Sequence, residues 1–360
     1  MPSSHESRKA PVASDGTTES FLHALPKVEL HLHLEGSIEP QTLRKLARAK
    51  RRLQKETEEW INQQEGRGFR YGNFAKFLNA FKQVTLLLES PADYALITTR
   101  LLERLTAQNV HYAEITLSAG VILWKKQPLP EIFEAVAKAA QKFAPRLRVK
   151  WIFDAVRQFG EDHAREVLGW ARIFRDEGVA AFGIGGDEAR GPAEIFTTVY
   201  REAKDLGLRV TAHAGESAGP ESVRDAVELL GAERIGHGLA AARDPQVMAL
   251  LRERRVPLEV CLTSNVATGL IVRVEDHPLR QFLDAGLQIT LSTDDPAMFS
   301  TTLERELTLA YYAFSLSRGE ITSVMINSIL ASFDSEDGKQ LLLRKFEKSL
   351  RADSKHRVVS

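Results

Sequence analysis

Short, almost continuously apolar runs recur along the chain and alternate with segments whose apolar residues follow helical spacing. Such runs are typical of strands in a parallel sheet, because that sheet is buried on both faces. We identify the following strand candidates: Val28–Leu34, Val110–Leu117, Arg148–Val156, Ala180–Gly185, Arg209–Ala214, Arg234–Gly238, Leu258–Leu262 and Gln288–Ser292. Strands that alternate with helices in this way predict a closed (β/α)8 TIM barrel of the α/β class.

The main alternative is an open, doubly wound sheet. That fold commonly carries a glycine-rich nucleotide loop of the form G-x-G-x-x-G. The nearest match is Gly183-Ile184-Gly185-Gly186, but Asp187 and Glu188 follow where the motif needs glycine spacing into a helix. We therefore favour the closed barrel.

A long helical segment interrupts the strand–helix repeat between the first and second strands. It spans roughly residues 55–107, whereas a usual βα loop has only a few residues. Phe74, Phe77 and Phe81 lie at helical spacing within it. They predict either an amphipathic helix that packs on the barrel or a lid over its mouth. After the last strand, additional helices are expected over about Thr302–Leu350.

Composition narrows the range of functions. Lys and Arg number 48, as do Asp and Glu, so the chain lacks the basic excess that nucleic-acid or membrane-surface binders usually carry. Cys261, the single cysteine, excludes an intrachain disulfide and a multi-cysteine zinc site, and it fits a reducing cytoplasm. No apolar run is long enough to span a bilayer, and no signal-peptide stretch is visible near the N-terminus. We expect a flexible tail over residues 1–20 and a single cytoplasmic domain over residues 21–360.

The motif His31-Leu32-His33 is the first indication of chemistry. Residues two apart on a strand point to the same face, so the two imidazoles are expected to project side by side. Neutral imidazole is a common ligand of zinc and similar ions. From this motif alone, a metal site and two packed, hydrogen-bonded histidines both remain open.

More polar residues fall at the carboxyl ends of the other predicted strands, where barrel enzymes place their active sites. They are His213, Glu216, His237, Asp294 and Asp295. Nitrogen and carboxylate donors without cysteine fit zinc, with other first-row divalent ions as the alternative. Three histidines and one aspartate can hold an ion and leave room for a water molecule. His237 and Glu216 are then the candidate base and acid.

In these segments the chain resembles the adenosine/adenine deaminase family of the metal-dependent amidohydrolase superfamily. The matching segments are Val28–Gly36, Gly185–Glu188, His213–Glu216, Arg234–Gly238, Thr263–Asn265 and Ser292–Pro296. The resemblance extends from about Leu25 to the C-terminal helices. It implies hydrolytic deamination, with hydroxide attacking C6 of a 6-aminopurine and ammonia leaving.

The resemblance also implies roles for individual residues. One zinc ion per chain is expected on four ligands: His31, His33, His213 and Asp294. Glu216 corresponds to the proton donor to purine N1, and His237 to the group that orients or deprotonates the water molecule. Asp295 corresponds to a partner of that water and of purine N7.

The resemblance also implies that four residues contact the substrate: His33, Glu35, Gly186 and Asp295. The backbone amide of Gly186 corresponds to a donor to purine N3. Glu35 stands where relatives that act on adenosine usually carry aspartate, at a position that reaches the ribose 5′-hydroxyl. Glutamate there is similar to the adenine-specific branch and to relatives that deaminate aminofutalosine, an adenine nucleoside extended at its 5′ end.

A small purine molecule is the expected partner, and adenosine or aminodeoxyfutalosine is favoured over free adenine because Gly186-Asp187-Glu188 is similar to the nucleoside branch. Adenine deaminase is the principal alternative. Less favoured are a two-metal amidohydrolase, which commonly has a bridging lysine on strand four, and a non-catalytic purine-binding protein. The oligomeric state stays open, with a homodimer as one alternative.

Overall fold

The computed structural model describes residues 16–50 and 54–358, with side chains over 17–50 and 54–351. Of the predicted flexible tail, residues 1–15 lie outside the described part of the chain. The first helix, α1, spans Gly16–Ala24.

The strands form one parallel barrel with the order β1-β2-β3-β4-β5-β6-β7-β8. Their bounds are β1 Lys27–Glu29, β2 Val110–Leu117, β3 Arg148–Val156, β4 Val179–Gly185, β5 Arg209–Ala214, β6 Arg234–His237, β7 Leu258–Val260 and β8 Ile289–Leu291. A parallel bridge between Leu32 and Asp294 joins the segments that follow β1 and β8. The predicted TIM barrel is thereby confirmed.

Helices surround the barrel. Their bounds are α2 Pro40–Ala49, α3 Gln54–Gly66, α4 Phe74–Leu86, α5 Pro91–Ala107, α6 Ala119–Trp124, α7 Leu129–Gln141, α8 Gly160–Ile173, α9 Thr197–Asp205, α10 Pro220–Glu228, α11 Pro245–Arg254, α12 Leu262–Ala267, α13 Leu279–Asp284, α14 Leu303–Ala313, α15 Arg318–Ala331 and α16 Glu336–Val358. None of the described helices is long and apolar enough to cross a membrane.

The first strand is shorter than its apolar run predicts. Beyond Glu29 the backbone leaves the regular ladder and keeps only isolated bridges, at Leu32 and His33. His33 N donates to the carbonyl of Asp294 at 2.8 Å, and Asp294 N donates to the carbonyl of His31 at 3.0 Å. These two bonds fix the segment that carries both histidines directly against the segment after β8.

The long insertion is helical, as predicted, and consists of α3, α4 and α5. Tyr71, just before α4, donates through its backbone N–H to the carbonyl of Ala267 at 2.8 Å and through its hydroxyl to the carbonyl of Met298 at 2.9 Å. The ring of Phe77 packs 5.1 Å from that of Phe299. These contacts anchor α4 across the carboxyl ends of the barrel strands.

Candidate metal centre and active site

The residues at the carboxyl ends of the strands meet at the centre of the barrel mouth. His31 and His33 follow β1, His213 lies in β5, His237 ends β6, and Asp294 follows β8. Nε2 of His33 lies 3.2 Å from Nε2 of His213, and Nε2 of His31 and of His33 each lie 3.4 Å from Oδ1 of Asp294. Ligand atoms around one tetrahedral zinc ion lie roughly 3.3 Å apart, given Zn–N and Zn–O bonds of about 2.0–2.1 Å.

An unpartnered atom supports a metal at this point. Within the described part of the chain, Nε2 of His31 is buried and has no hydrogen-bond partner. A buried polar atom without a partner is costly unless something satisfies it. The set of three imidazoles and one carboxylate therefore fits a divalent ion chemically as well as geometrically.

His237 is a further histidine beside the cluster. A donor atom of His237 lies within 4.8 Å of donor atoms of His31, His213 and Asp294, so distance alone allows it as a ligand in place of His33. However, Nε2 of His237 lies 3.6 Å from Glu216 Oε1 and 3.7 Å from Asp294 Oδ2. These longer separations place the His237 ring next to Glu216 and beside the four closely spaced ligand candidates. We call these four the donor cluster: His31, His33, His213 and Asp294.

The histidines differ in their protonation. Burial lowers the pKa of His33 and of His237 to about 4, and it holds the pKa of His213 well below its usual range. Burial also acts on His31, but the neighbouring carboxylates of Asp294 and Glu259 outweigh it and raise the His31 pKa to about 10. A metal ion can replace that proton, because the same carboxylates that favour an imidazolium also favour a cation on the ring.

Two carboxyl groups beside the cluster have raised pKa values. Burial, followed by the charges of Asp294 and Glu188, raises the pKa of Glu216 well above its usual range. Burial and the neighbouring Asp294 do the same for the pKa of Asp295. A raised pKa favours the protonated form of each group, which is the form that a general acid needs.

A buried layer of ion pairs lies beneath the donor cluster. Nδ1 of His31 lies 2.8 Å from Oε2 of Glu259, whose Oε1 accepts from Nε of Arg234 at 2.5 Å. Arg234 also donates to Glu114 on β2. The charge of Arg234 and these hydrogen bonds outweigh burial and lower the pKa of Glu259 to about 2. An ionised carboxylate on Nδ1 orients His31 for coordination through Nε2.

The cluster forms the floor of a cavity of about 520 Å³. The predicted residues at its surface are His33, Gly186, His213, Glu216, His237, Asp294 and Asp295. Gly186 has φ +100°, and a Cβ there would come within 2.5 Å of Gln158 Oε1, so glycine suits this close approach. Phe74, Phe77 and Phe81 line the cavity from α4, so the insertion both packs on the barrel and forms a wall of the site.

Glu35 is the predicted substrate residue that the structure does not bring to the cavity surface. Its carboxylate accepts hydrogen bonds from the backbone N–H and the hydroxyl of Ser118, both at 3.1 Å. Ser118 lines the cavity, and Glu35 lies behind it at 1% exposure. Burial raises the pKa of Glu35 to about 7. In this arrangement Glu35 acts on the cavity wall through Ser118.

Sequence reasoning missed Asp154, which also lines the cavity from β3. Its carboxylate occupies the space left by two glycines of β4: a Cβ at Gly183 or Gly185 would lie 2.9 or 3.0 Å from an Asp154 oxygen. Burial raises the pKa of Asp154 to about 8. A lone acidic residue within the apolar run Trp151–Val156 was the available signal.

Glu188 has a structural role that the sequence did not reveal. Its Oε2 accepts from the N–H of Gly215 at 2.7 Å, and its Oε1 accepts from the N–H groups of Glu216, Ser217 and Ala218 at 3.0, 2.7 and 3.2 Å. The hydroxyl of Ser222 donates to the same carboxylate at 2.5 Å. This buried side chain therefore holds the loop that carries Glu216.

The backbone is strained at two of the converging residues. His237 and Asp294 both have φ +62°, in the left-handed region that side-chain-bearing residues rarely adopt. Such conformations persist only where the surrounding contacts enforce them. Here they turn the imidazole and the carboxylate toward the donor cluster.

Comparison with known proteins agrees with this geometry. The family model described as adenosine deaminase matches residues 26–349. The chain is 36% identical over 326 residues to an aminodeoxyfutalosine deaminase of Streptomyces avermitilis, covering 89% of this chain and 90% of the relative. It is 33% identical to an adenosine deaminase of Klebsiella pneumoniae, covering 90% and 98%. It is also 33% identical to an adenine deaminase of Rhodopseudomonas palustris, covering 95% and 98%.

Solved structures share the fold over nearly the whole chain. An amidohydrolase from Burkholderia ambifaria with bound zinc superposes with a TM-score of 0.83 at 26% identity, covering 95% of this chain and 96% of that one. The Arabidopsis protein ADAL in complex with GMP gives a TM-score of 0.82 at 26% identity, covering 92% and 98%.

Proposed function

This chain belongs to the adenosine deaminase family of hydrolases acting on carbon–nitrogen bonds, and we propose that it deaminates an adenine nucleoside. Water would replace the amino group at C6, which gives the inosine-type product and ammonia. The observation that carries the proposal is the convergence of Glu216, His237 and Asp295 around the donor cluster at the floor of the cavity.

We assign the donor cluster to one zinc ion per chain, on His31, His33, His213 and Asp294. The short separations of the donor atoms and the unpartnered Nε2 of His31 support this assignment. Zinc lowers the pKa of bound water to about 7 and so makes a hydroxide nucleophile available at neutral pH. Ser264 donates to Oδ2 of Asp294 at 2.6 Å and leaves Oδ1, which faces the histidines, for the ion.

The protein's own side chains then position the purine and supply a proton. Glu216, whose burial raises its pKa well above the usual range, is assigned as the donor to purine N1, which makes C6 more electrophilic. The backbone N–H of Gly186 is assigned to N3, and the carboxyl group of Asp295 to N7. His237 is assigned to the oxygen that adds to C6, since its Nε2 lies 3.6 Å from Glu216.

The outer part of the cavity supports a nucleoside over free adenine. The rings of Trp124 and Phe159 stack there with centroids 5.9 Å apart, and Nζ of Lys82 lies 5.6 Å from the Trp124 ring. Among the described residues, no carboxylate lies within ion-pair distance of Lys82 or of Arg190, which also lines the cavity. Free adenine would leave this aromatic and basic outer wall without contact.

We therefore propose adenosine, or an adenosine extended at its 5′ position such as aminodeoxyfutalosine, as the substrate. The names of the Streptomyces and Klebsiella relatives support the same two compounds. Adenine remains the alternative, because the Rhodopseudomonas relative is named for it. We also assign residues 21–360 to one catalytic domain, which is consistent with the family match over residues 26–349.

The test is a substrate panel with zinc-loaded protein: adenosine, deoxyadenosine, adenine, adenosine 5′-monophosphate and aminodeoxyfutalosine. Ammonia release and the absorbance change to the hypoxanthine product would be followed for each. We expect turnover of at least one nucleoside and a higher kcat/KM for it than for adenine. No turnover of any compound would refute the proposal, and a preference for adenine would establish the alternative.

A further inference from the structure

A buried chain of hydrogen bonds leads from the backbone to the far side of His237. The N–H of Leu279 donates to Nδ1 of His277 at 3.1 Å. Nε2 of His277 lies 3.2 Å from Oδ1 of Asn265, and Nδ2 of Asn265 lies 3.2 Å from Nδ1 of His237. The three side chains are 4%, 0% and 1% exposed, so water does not compete with these bonds.

The backbone fixes the direction of every bond in this chain. An amide N–H can only donate, so Nδ1 of His277 accepts and the single proton of that ring lies on Nε2. That proton is donated to Oδ1 of Asn265, and the Asn265 NH2 group is therefore the one that meets His237. The opposite orientation of the amide would set two N–H donors against each other.

The same hydrogen bonds leave each ring with a single proton. Nδ1 of His277 accepts from Leu279 and Nδ1 of His237 accepts from Asn265, so neither nitrogen carries a proton. Burial also lowers the pKa of His277 to about 3, in line with a neutral ring. Because Nδ1 of neutral His237 accepts from Asn265, its proton lies on Nε2. That nitrogen is on the side of Glu216 Oε1 and Asp294 Oδ2, and His237 lines the cavity.

We propose that Asn265 and His277 are positioning residues that hold His237 as the Nε2–H tautomer, so that His237 donates a hydrogen bond to the oxygen added at C6. This inference rests on the proposed deamination and deepens it. An Nε2–H donor stabilises the negative charge that develops on that oxygen. It takes up no proton from water in the resting enzyme, so it acts by orientation and not as the base.

The same tautomer decides which histidines hold the metal. A ring nitrogen that carries a proton has no lone pair to offer, so Nε2 of His237 is excluded as a ligand. Nε2 of His33 lies 3.2 Å from that of His213 and 3.4 Å from Oδ1 of Asp294. We call the hydrogen-bonded chain from Leu279 to His237 the relay. It excludes His237 as a metal ligand, which leaves His33 as the ligand and His237 beside the ion.

The first test reads the tautomer directly. Zinc-loaded protein labelled with ¹⁵N-histidine would be examined by NMR, because a protonated and a bare ring nitrogen differ strongly in ¹⁵N chemical shift. The signals of His237 would be assigned from their loss in His237→Asn. We expect a protonated Nε2 and a bare Nδ1 in the native chain. A protonated Nδ1, or a metal-bound Nε2, would overturn the proposal.

The second test reverses the tautomer. In Asn265→Asp a carboxylate accepts from Nδ1–H of His237 and moves the proton away from the cavity. We expect kcat to fall about 100-fold or more, since a wrong histidine tautomer costs up to about 10⁴ in serine proteases. KM should change less than about threefold, because ground-state contacts remain. Zinc content should stay at one per chain. Asn62→Asp, the same chemical change on α3 and away from the relay, is the matched control.

A pair of variants at His277 keeps the inference testable if Asn265→Asp does not fold. His277→Leu removes the donor to Asn265 and frees the amide to turn, so we expect mixed tautomers and a reduced kcat. His277→Gln keeps an N–H donor to Asn265, so it should restore the single Nε2–H tautomer of His237 and the native kcat. Native kcat in His277→Leu with an unchanged tautomer would contradict the relay. An inactive native chain that shows Nε2–H would count against the proposed reaction only, whereas an active one with Nδ1–H would count against the relay only.

Discussion

Nδ1 of His31 lies 2.8 Å from Oε2 of Glu259, while Nε2 on the other side of the ring lies 3.4 Å from Asp294 Oδ1. The ionised Glu259 therefore fixes which nitrogen of His31 faces the other members of the donor cluster. We expect Glu259→Gln to weaken metal affinity by about 10- to 100-fold, the usual effect of removing such a carboxylate. Competition with a chelator would measure this.

The matched control for Glu259 is Glu253→Gln, a change at an exposed position of α11. Circular dichroism would establish that both variants are folded, because Glu259 also pairs with the buried Arg234. Equal metal affinity in a folded Glu259→Gln protein would contradict the assigned role.

Glu216→Gln separates proton donation from metal binding. The amide has the shape of the protonated acid but cannot transfer a proton, so we expect turnover to fall at least about 100-fold. Metal content, measured by atomic emission, should remain at the native level because Glu216 is not among the assigned ligands. Loss of the metal would show that Glu216 had been given the wrong role.

Glu188→Gln tests the loop that carries Glu216. Glutamine keeps one oxygen acceptor but replaces the other with an NH2 group that cannot accept, so some of the N–H groups of Gly215 to Ala218 lose their partner. The loop should then loosen and kcat should fall about 10- to 100-fold, as small misplacements of catalytic groups do. Hydrogen–deuterium exchange of the loop amides should accelerate in the same protein. Glu221→Gln, at an exposed position on α10, is the control and should leave both measurements unchanged.

Gly36→Ala tests the contact between the first and last strand ends. A Cβ at Gly36 would lie 1.6 Å from Oδ1 of Asp295, so Asp295 or the backbone must move. We expect a loss of about 1–3 kcal/mol in the free energy of unfolding, as for overpacking, together with reduced turnover. Gly169→Ala, in open space on α8, should instead add about 0.5–1 kcal/mol. Urea denaturation of both variants measures the contrast.

Lys82→Met tests the basic outer wall of the cavity. With the ammonium removed, we expect kcat/KM for adenosine 5′-monophosphate, relative to that for adenosine, to fall about 5- to 10-fold, since one charge-assisted contact is worth about 1 kcal/mol or more. Lys76→Met, on the same helix α4 but outside the cavity lining, is the matched control. An unchanged ratio would remove Lys82 from substrate recognition.

The apolar pattern was sufficient to predict the barrel. Runs such as Val110–Leu117 and Arg148–Val156 match β2 and β3 residue for residue, because strands buried on both faces are mainly apolar. The run Val28–Leu34 overestimated β1, because hydrogen bonds to the segment around Asp294 replace the regular ladder after Glu29. A local apolar pattern does not indicate where hydrogen bonds to a distant segment will replace the regular strand ladder.

The converging residues were also predictable, because a parallel barrel brings all carboxyl ends of its strands to one rim. His31, His213 and Asp294 are far apart in the chain, and strand order alone places them together. Glu188 and Asp154 were not recognised in their roles, since one acts through backbone N–H groups and the other through space left by two glycines.

By itself, then, the sequence determined the fold, the family motifs and the set of nitrogen and oxygen donors, because each follows from local pattern and strand topology. Only the tertiary structure decided which atom each donor presents. Glu35 lies behind Ser118, and the proton of His237 is set by Asn265 and, through it, by His277 and the backbone N–H of Leu279. Those choices depend on hydrogen bonds between residues distant in the chain, whose directions exist only once the chain has folded.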